Sequence, residues 1–398
     1  MTIGIDALEI ATPGLFLPMT DLAGARDVDP AKFHVGLGQD EMAVAPATVD
    51  AVTLGARAAA AVLERTDQAD RDALGLIVLG TESGVDASKA MAVMVHGLLA
   101  EEYSLPHSLR AFDLREACYG GTAGLLTAVD YVATHLGRTA LVIATDLARY
   151  GLRTGGEPTQ GAGAVAVLVR EDPRLLVIDP ATTAVTTDVY DFWRPDGEAV
   201  PRVDGTLSNE CYTETFTRAW EAHVAATGLD LTDYAALCFH LPYTKMGRKA
   251  LARVLTPEQA AERGLTRIHE RYEESIAYSR RIGNCYTASL WLGVASLLDA
   301  GNVTAGDRLA LFSYGSGAVG ELITATVAEG FEQRRDPAAE RARLDARTAL
   351  SVEEYEQVLT ESLAPAGEGT SGTAFVDDGP YALTGVEGGI RRYRGPRD

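Results

Sequence analysis

Short apolar runs alternate with helical patterns along most of this chain, and that alternation limits its fold more than any other feature. The runs fall at 74–80 (LGLIVLG), 139–145 (TALVIAT), 163–169 (GAVAVLV), 175–178, 235–241 (AALCFHL) and 308–314 (RLALFSY). Consecutive apolar residues of this length suit strands buried on both faces. Helical patterns lie between them, at 49–65, 88–101, 118–136, 257–263 and 287–300. The order predicts an α/β protein with mostly parallel sheets. Residues 336–362 read as a charged helical tail, 364–372 as a flexible loop and 381–386 as a closing strand.

An internal echo suggests two similar halves. Cys118-Tyr119 opens a helical pattern that leads to the strand starting at Thr139, and Cys285-Tyr286 opens one that leads to the strand starting at Arg308. Each strand runs to a polar tip, Asp146 in the first case and Ser313-Tyr314-Gly315-Ser316-Gly317 in the second. Such self-similarity places two helix starts at a shared centre. A length of 398 residues suits two domains or one large duplicated one.

Composition narrows the class. Hydrophobic residues make up 46% of the chain, which suits a globular protein with a sizeable core. The opening MTIGIDALEIATPG has no basic start and no apolar stretch, and no long apolar run follows, so neither a signal peptide nor a membrane span is expected. The four cysteines (118, 211, 238, 285) lack CxxC spacing and read as reduced cytosolic thiols. The histidines show no metal-ligand spacing, so no zinc site is expected. A net charge of −21 argues against nucleic acid or an anionic membrane as partner. An anionic small molecule needs only a local basic patch. Lysine is rare here, at Lys32, Lys89, Lys245 and Lys249 among 35 basic residues, and two of the four fall within one five-residue stretch. That pair suits phosphate contacts or a solvated helix face.

Cys118 sits where a polar stretch, Arg115-Glu116-Ala117, meets the small residues Gly120-Gly121-Thr122-Ala123-Gly124. A cysteine at a helix start faces unpaired N–H groups and the positive end of the dipole, which favour thiolate. The same N–H groups can hold an oxyanion. The alternative is a small buried thiol. Glu82 directly follows the 74–80 run, and acids at carboxyl ends of strands are placed for proton transfer, or are solvated loop acids. His240 ends the 235–241 run and is a site residue or a satisfied core residue. The glycine-rich loop at 155–163 allows close backbone approach to a ligand, or is a turn. Gly315-Ser316-Gly317-Ala318-Val319-Gly320 matches a dinucleotide fingerprint in letters only. The residues after it are β-branched and strand-like, where the fingerprint needs a helix.

With their flanking segments, these residues resemble the hydroxymethylglutaryl-CoA synthase family of the thiolase superfamily. The segments include Val35-Gly-Leu-Gly-Gln39, Ala117-Cys118-Tyr119, Asp146-Leu-Ala-Arg-Tyr150, GGEPTQGAGAVA at 155–166, Asp191-Phe-Trp-Arg-Pro195, Thr244-Lys245-Met246-Gly247, Gly283-Asn284 and Phe312-Ser-Tyr-Gly-Ser-Gly317. They run through the whole chain in order. The resemblance implies a duplicated, five-layered αβαβα thiolase-like fold, with an N-terminal half at 1–170 carrying Glu82 and Cys118. A C-terminal half at 171–398 would carry His240, Asn284 and Ser316.

It implies Cys118 as nucleophile, Glu82 as general acid/base and His240 as the residue that positions the acceptor. Asn284, Ser316, Tyr150, Thr159, Ser208, Lys245 and Lys249 would bind substrate, with Asp86, Asp146 and Asp191 as supporting acids. The implied reaction condenses acetyl-CoA with acetoacetyl-CoA and water, through an acetyl-cysteine, to hydroxymethylglutaryl-CoA. This is a step of the mevalonate route to isoprenoids. No metal or redox cofactor, a homodimer and a cytoplasmic location are the matching expectations. Cys285 is expected to be structural. Relatives that act on carrier-protein-bound acceptors in polyketide β-branching share the core, but the 155–166 and TKMG segments look like the mevalonate branch. A ketoacyl synthase or thiolase would carry a histidine or cysteine in place of Glu82. One departure stands out: Arg115-Glu116 replaces the family's usual Lys-Gln, and an inward-pointing Glu116 would raise the thiol pKa.

Overall fold

The computed structural model describes residues 2–363, 374–377 and 379–396, so the expected loop at 364–372 lies outside the described residues. Ten strands join in one mixed sheet. They are β1 (Ile3–Ala11), β2 (Leu74–Gly80), β3 (Arg110–Leu114), β4 (Thr139–Ala148), β5 (Gly161–Glu171), β6 (Leu176–Ile178), β7 (Thr183–Thr186), β8 (Ala236–Phe239), β9 (Arg308–Gly315) and β10 (Val319–Val327). The spatial order is β8-β9-β10-β6-β1-β5-β4-β2-β3, with β7 on β10. The helices that position the site are α1 (Ala51–Glu64), α2 (Met91–Leu99), α3 (Gly120–Thr134), α4 (Gly205–Thr227), α5 (Thr244–Leu251) and α6 (Ser289–Asp299).

The sheet is less parallel than its sequence pattern suggests. β2 runs parallel to β3 and β4, and β8 to β9, because helices cross between them. β4–β5, β5–β1, β1–β6, β6–β10 and β10–β9 are antiparallel. The reason is the connections: β9 returns as β10 after only Ser316, Gly317 and Ala318, too few for a crossover. The apparent dinucleotide fingerprint is this hairpin.

The echo is real in three dimensions. The set β2-β4-β5-β1 has the same sequence of pairings as β8-β9-β10-β6, and α3 precedes β4 as α6 precedes β9. β1 and β6 pair with each other and join the two sets, Gly4 opposite Val177 and Ile5 opposite Leu176. Side chains alternate along the strands, so each strand serves two cores. On β4, Ala140, Val142 and Ala144 join an inner core with Leu125 and Val132 of α3 and Leu292 and Val294 of α6. Leu141 and Ile143 join an outer core with Val52 and Leu54 of α1. A third core lies outside the second set, where α4 and α5 contribute Phe216 and Met246 against Phe239 and Phe312. The layers are outer helices, strands, inner helices α3 and α6, strands, outer helices: the five-layered αβαβα arrangement.

The charged tail forms two helices, Pro337–Asp345 and Val352–Leu363, and the chain closes with strands Ala382–Glu387 and Ile390–Arg394. This last hairpin returns to the N-terminal set. Tyr381 joins the α1 core, and Tyr393 donates to Asp50 Oδ2 at 2.8 Å. No helix among the described residues is long and apolar enough to cross a membrane.

Glycine decides one contact that the site depends on. A Cβ on Gly80, at the end of β2, would lie 2.4 Å from the backbone of Gly120 and Gly121 at the start of α3. Gly80→Ala is therefore expected to push the Cys118 turn off β2. The expected cost is about 1–3 kcal/mol of stability, typical of overpacking, together with slower labelling of Cys118. Urea denaturation and thiol-labelling kinetics measure the two effects.

Candidate active site

Cys118 does not sit inside the helix. α3 starts at Gly120, two residues later than the pattern suggests. Ala117 has φ +40°, a left-handed conformation that no helix residue adopts and that costs an alanine energy. The turn that results is closed by Tyr119 N–H to Glu116 O (2.9 Å) and Gly120 N–H to Ala117 O (3.3 Å). These two helix-start donors are therefore already in use. Tyr119 Oη donates to Glu321 on β10, which ties the turn to the second strand set.

The thiol is buried and donates to Glu82 Oε1 at 2.9 Å. Burial, then the Glu82 carboxylate, raises its pKa well above the ordinary thiol value. The expectation of a pre-formed thiolate fails here for a reason of magnitude. A helix end contributes about 0.3–1 kcal/mol, whereas burial and a carboxylate in contact each shift a pKa by units. Glu116 lines a cavity together with Glu82, and its charge acts on Glu82; the charges that act most on the thiol are Glu82, Asp146 and Asp191.

Glu82 leaves the end of β2 as foreseen, and burial, then Asp146, pushes its pKa up to about 8. Asp146, fully buried within β4, holds the loop that carries it. Asp146 Oδ1 accepts from Glu82 N–H (2.7 Å), Ser83 Oγ (2.8 Å) and Thr81 Oγ1 (3.0 Å). Its Oδ2 accepts from Thr287 N–H (3.0 Å) and Thr287 Oγ1 (2.5 Å). One carboxylate thus fixes the Glu82 loop of the first half to the segment that follows Cys285 in the second.

His240 lies one residue beyond β8, with its N–H on Phe312 O at 2.8 Å. Neither ring nitrogen has a hydrogen-bond partner although both are buried. Burial lowers its pKa to about 3, so the ring is neutral and its nitrogens await a partner. Nothing ties it directly to Cys118. It neighbours β9, whose end approaches the Cys118 turn: a Cβ on Gly315 would lie 2.6 Å from Glu116 O.

Asn284 and Tyr150 come together as the family residues imply, Asn284 Nδ2 donating to Tyr150 Oη at 3.4 Å. Tyr150, Tyr286 and Phe192 pack edge to face around Cys118 and Ala148. The glycines of 155–163 serve this packing. A Cβ on Gly156 would meet the Tyr150 ring at 2.7 Å, on Gly161 Asn284 O at 2.6 Å, and on Gly163 Cys285 Sγ at 2.9 Å. Cys285 is buried with only a weak contact to Gly283 O at 3.8 Å and no acid against its sulfur.

A cavity of about 790 Å³ opens beside Glu82 and Ser316 and includes Asp86, which is exposed on its wall. The 188–199 segment forms its other side. Asp191 anchors that segment, accepting from Tyr314 Oη (2.9 Å) and Gly317 N–H (3.0 Å). Gly317 is thereby lost as an oxyanion donor. Arg194, on the same segment, donates to the Glu82 carbonyl oxygen.

The remaining residues lie apart. Lys245 lines a separate cavity of about 280 Å³ with His34, Arg248 and Arg280, while Lys249 Nζ donates to Tyr243 Oη at 2.7 Å. Thr159 donates to its own loop at Gly156 O (2.9 Å), and Ser208 is half-buried in the first turn of α4. Sequence reasoning missed Thr287, Arg194 and Glu321 as individuals. The DFWRP segment was a signal for Arg194; a threonine after Cys285-Tyr286 and a glutamate inside a strand give none.

Comparisons with known proteins agree over the whole chain. The model described as hydroxymethylglutaryl-coenzyme A synthase N terminal matches residues 1–173, and its C-terminal counterpart matches 176–268 and 258–366. The chain is 48% identical over 395 residues to the hydroxymethylglutaryl-CoA synthase of Enterococcus faecalis, covering 99% of this chain and 100% of that one. It is 33% identical over 378 residues to the polyketide biosynthesis 3-hydroxy-3-methylglutaryl-ACP synthase PksG of Bacillus subtilis (90% and 88% covered). Among solved structures, an HMG-CoA synthase complexed with CoA superposes with a TM-score of 0.92 at 40% identity, covering 99% of this chain and 100% of that one. MvaS in complex with 3-hydroxy-3-methylglutaryl coenzyme A superposes at 0.85 with 38% identity, covering 99% of each.

Proposed function

This chain belongs to the hydroxymethylglutaryl-coenzyme A synthase family, and on that premise we propose that Cys118, Glu82 and His240 divide the work of a three-stage condensation. The chain is an acyl-transferring condensing enzyme that joins acetyl-CoA, acetoacetyl-CoA and water into hydroxymethylglutaryl-CoA and CoA. The observation that carries the residue assignment is the 2.9 Å contact between Cys118 Sγ and Glu82 Oε1.

In the first stage Glu82 takes the thiol proton as Sγ attacks the acetyl carbon, and passes it to the CoA sulfur as that C–S bond breaks, so CoA leaves as the thiol and Glu82 is ionised again. The thiol needs this base because its surroundings hold it protonated. The acyl oxygen finds its donors in the backbone N–H groups of Cys118 and Ser316, since those of Tyr119, Gly120 and Gly317 are engaged. In the second stage Glu82 removes a methyl proton from acetyl-Cys118. The carbanion attacks the ketone carbon of acetoacetyl-CoA, which His240 holds through a buried nitrogen. The proton returns to the new alkoxide. In the third, water cleaves the thioester. Every step moves a proton or exchanges a C–H or C–S bond for a C–C, C–S or C–O bond with no net oxidation, so we read the reaction as needing no redox cofactor; with Glu82 as acid and base and backbone donors at the acyl oxygen, we read it as needing no metal either.

The greater identity to a CoA-dependent synthase than to a carrier-protein one favours CoA as the carrier of the acceptor. We further read the enzyme as a cytoplasmic homodimer of chains with halves at 1–170 and 171–398. The test is incubation with acetyl-CoA and acetoacetyl-CoA and mass spectrometry of the product. Hydroxymethylglutaryl-CoA is expected, and its absence while acetoacetyl-carrier protein is converted would favour the polyketide reading.

We read Lys245 and Lys249 of α5 as contacts for CoA phosphates. Tyr243 uses one of three Lys249 donors, and Lys245 has a cavity beside it. Replacing both with alanine is expected to raise KM for CoA substrates about tenfold, one half-buried and one exposed contact of up to ~1 kcal/mol each, with kcat little changed. The effect should shrink in high salt and vanish with a truncated thioester that lacks the nucleotide. Equal harm to both substrates would leave the pair as a solvated helix face.

A further inference from the structure

We propose that Arg194 binds the carboxylate that the final hydrolysis creates on the product. The proposal rests on the function above and assigns a role within it. In that step the water oxygen bonds to the acyl carbon and the C–S bond breaks. One water proton returns to Sγ, and the other passes to Glu82. The acyl group leaves as a carboxylate, on the carbon that had been bonded to Sγ.

That carbon is surrounded by acids. Sγ lies 2.9 Å from Glu82 Oε1, Asp146 is buried behind the Glu82 loop, and Glu116 lines the cavity beside Glu82. Asp146 is held by hydroxyl and N–H donors, with no cation among the hydrogen bonds that hold it. Glu82 has then just taken a proton, but a carboxylate formed beside Asp146 and Glu116 is still repelled unless a cation meets it. The cavity wall offers two, Arg115 and Arg194. Arg115 lies along the Gly84 turn, its Nη2 3.5 Å from where a Gly84 Cβ would sit. Arg194 instead reaches the residue that touches the sulfur, through its bond to Glu82 O.

Three features suit Arg194 to the task. Its guanidinium uses one of five N–H donors on that carbonyl, which leaves an edge able to grip both carboxylate oxygens. No acid among the described residues forms an ion pair with Arg194: on its own segment Asp191 accepts from Tyr314 and Gly317, and Glu198 pairs with Arg202. Its segment is pinned by Asp191 to Tyr314 and Gly317, so the guanidinium is held in place before product forms.

The test compares binding of two synthetic thioesters to the intact protein by calorimetry: hydroxymethylglutaryl-CoA and 3-hydroxy-3-methylbutyryl-CoA, which lacks only the carboxylate. Arg194→Gln is expected to weaken the first by about tenfold or more and the second by less than twofold, with Arg194→Lys between wild type and Arg194→Gln. Equal weakening of both would show that Arg194 only braces the Glu82 loop, and would overturn the proposal. A selective loss in Arg115→Gln rather than Arg194→Gln would also overturn it. Binding of ready-made thioesters needs no turnover. A wild-type protein that bound the acid selectively yet made none would sink the functional reading and leave the carboxylate site standing.

Discussion

Cys118→Ser is expected to abolish acetyl-enzyme formation, with turnover falling by at least about 10³-fold. The wild-type thiol is held protonated by burial and by Glu82, so on the proposed mechanism one proton moves over 2.9 Å as the bond forms. A serine hydroxyl is a much weaker acid than a thiol, and Glu82 at about 8 is too weak a base to ionise it. Cys285→Ser should leave acetylation intact, because the Cys285 sulfur is buried against Gly163 with no carboxylate beside it. Radiolabelled acetyl-CoA followed by peptide mapping decides the matter. Label on Cys285 would invert the assignment of the two halves.

Glu82→Gln is expected to lower condensation by on the order of 10²–10⁴-fold, the usual contribution of a positioned acid/base. Acetylation should also slow, since on the proposed mechanism the same carboxylate, 2.9 Å from Sγ, takes the thiol proton. The pH dependence carries the sign. Glu82 has a raised pKa, about 8, and acts as base only when ionised. Acetylation of the wild type should therefore fall about tenfold per unit as pH drops below about 8, and level off above it. Glu82→Gln should lose that limb and show a flat, low rate until the thiol itself ionises. A Glu82→Gln enzyme that kept the wild-type limb would assign the base to another group. The loop should survive the change, because Asp146 holds it through the Glu82 N–H and not through the side chain.

The parts of this protein legible in its sequence are those fixed by neighbours in the chain. Strands β2, β4, β5, β8 and β9 announce themselves because both faces are buried, and local apolarity is enough to say so. The duplication shows for the same reason, as does the placement of Glu82 and His240 just past equivalent strands, β2 and β8. The antiparallel returns were less legible, because a loop between two apolar runs does not declare the direction of the next strand.

What the tertiary structure decided is the chemistry of those residues. The charge state of Cys118 depends on a carboxylate 36 residues away, and the local signal of a helix start pointed the wrong way. Asp146 meets Thr287 across 141 residues, Tyr119 meets Glu321 across 202, and Arg194 meets Glu82 across 112. Acid strength is set by burial and by charges within a few ångströms, and both exist only once distant segments have packed. The sequence by itself determined which side chains the strand ends present to a common centre; the packing determined which of them holds a proton, which gives one up and which waits for substrate.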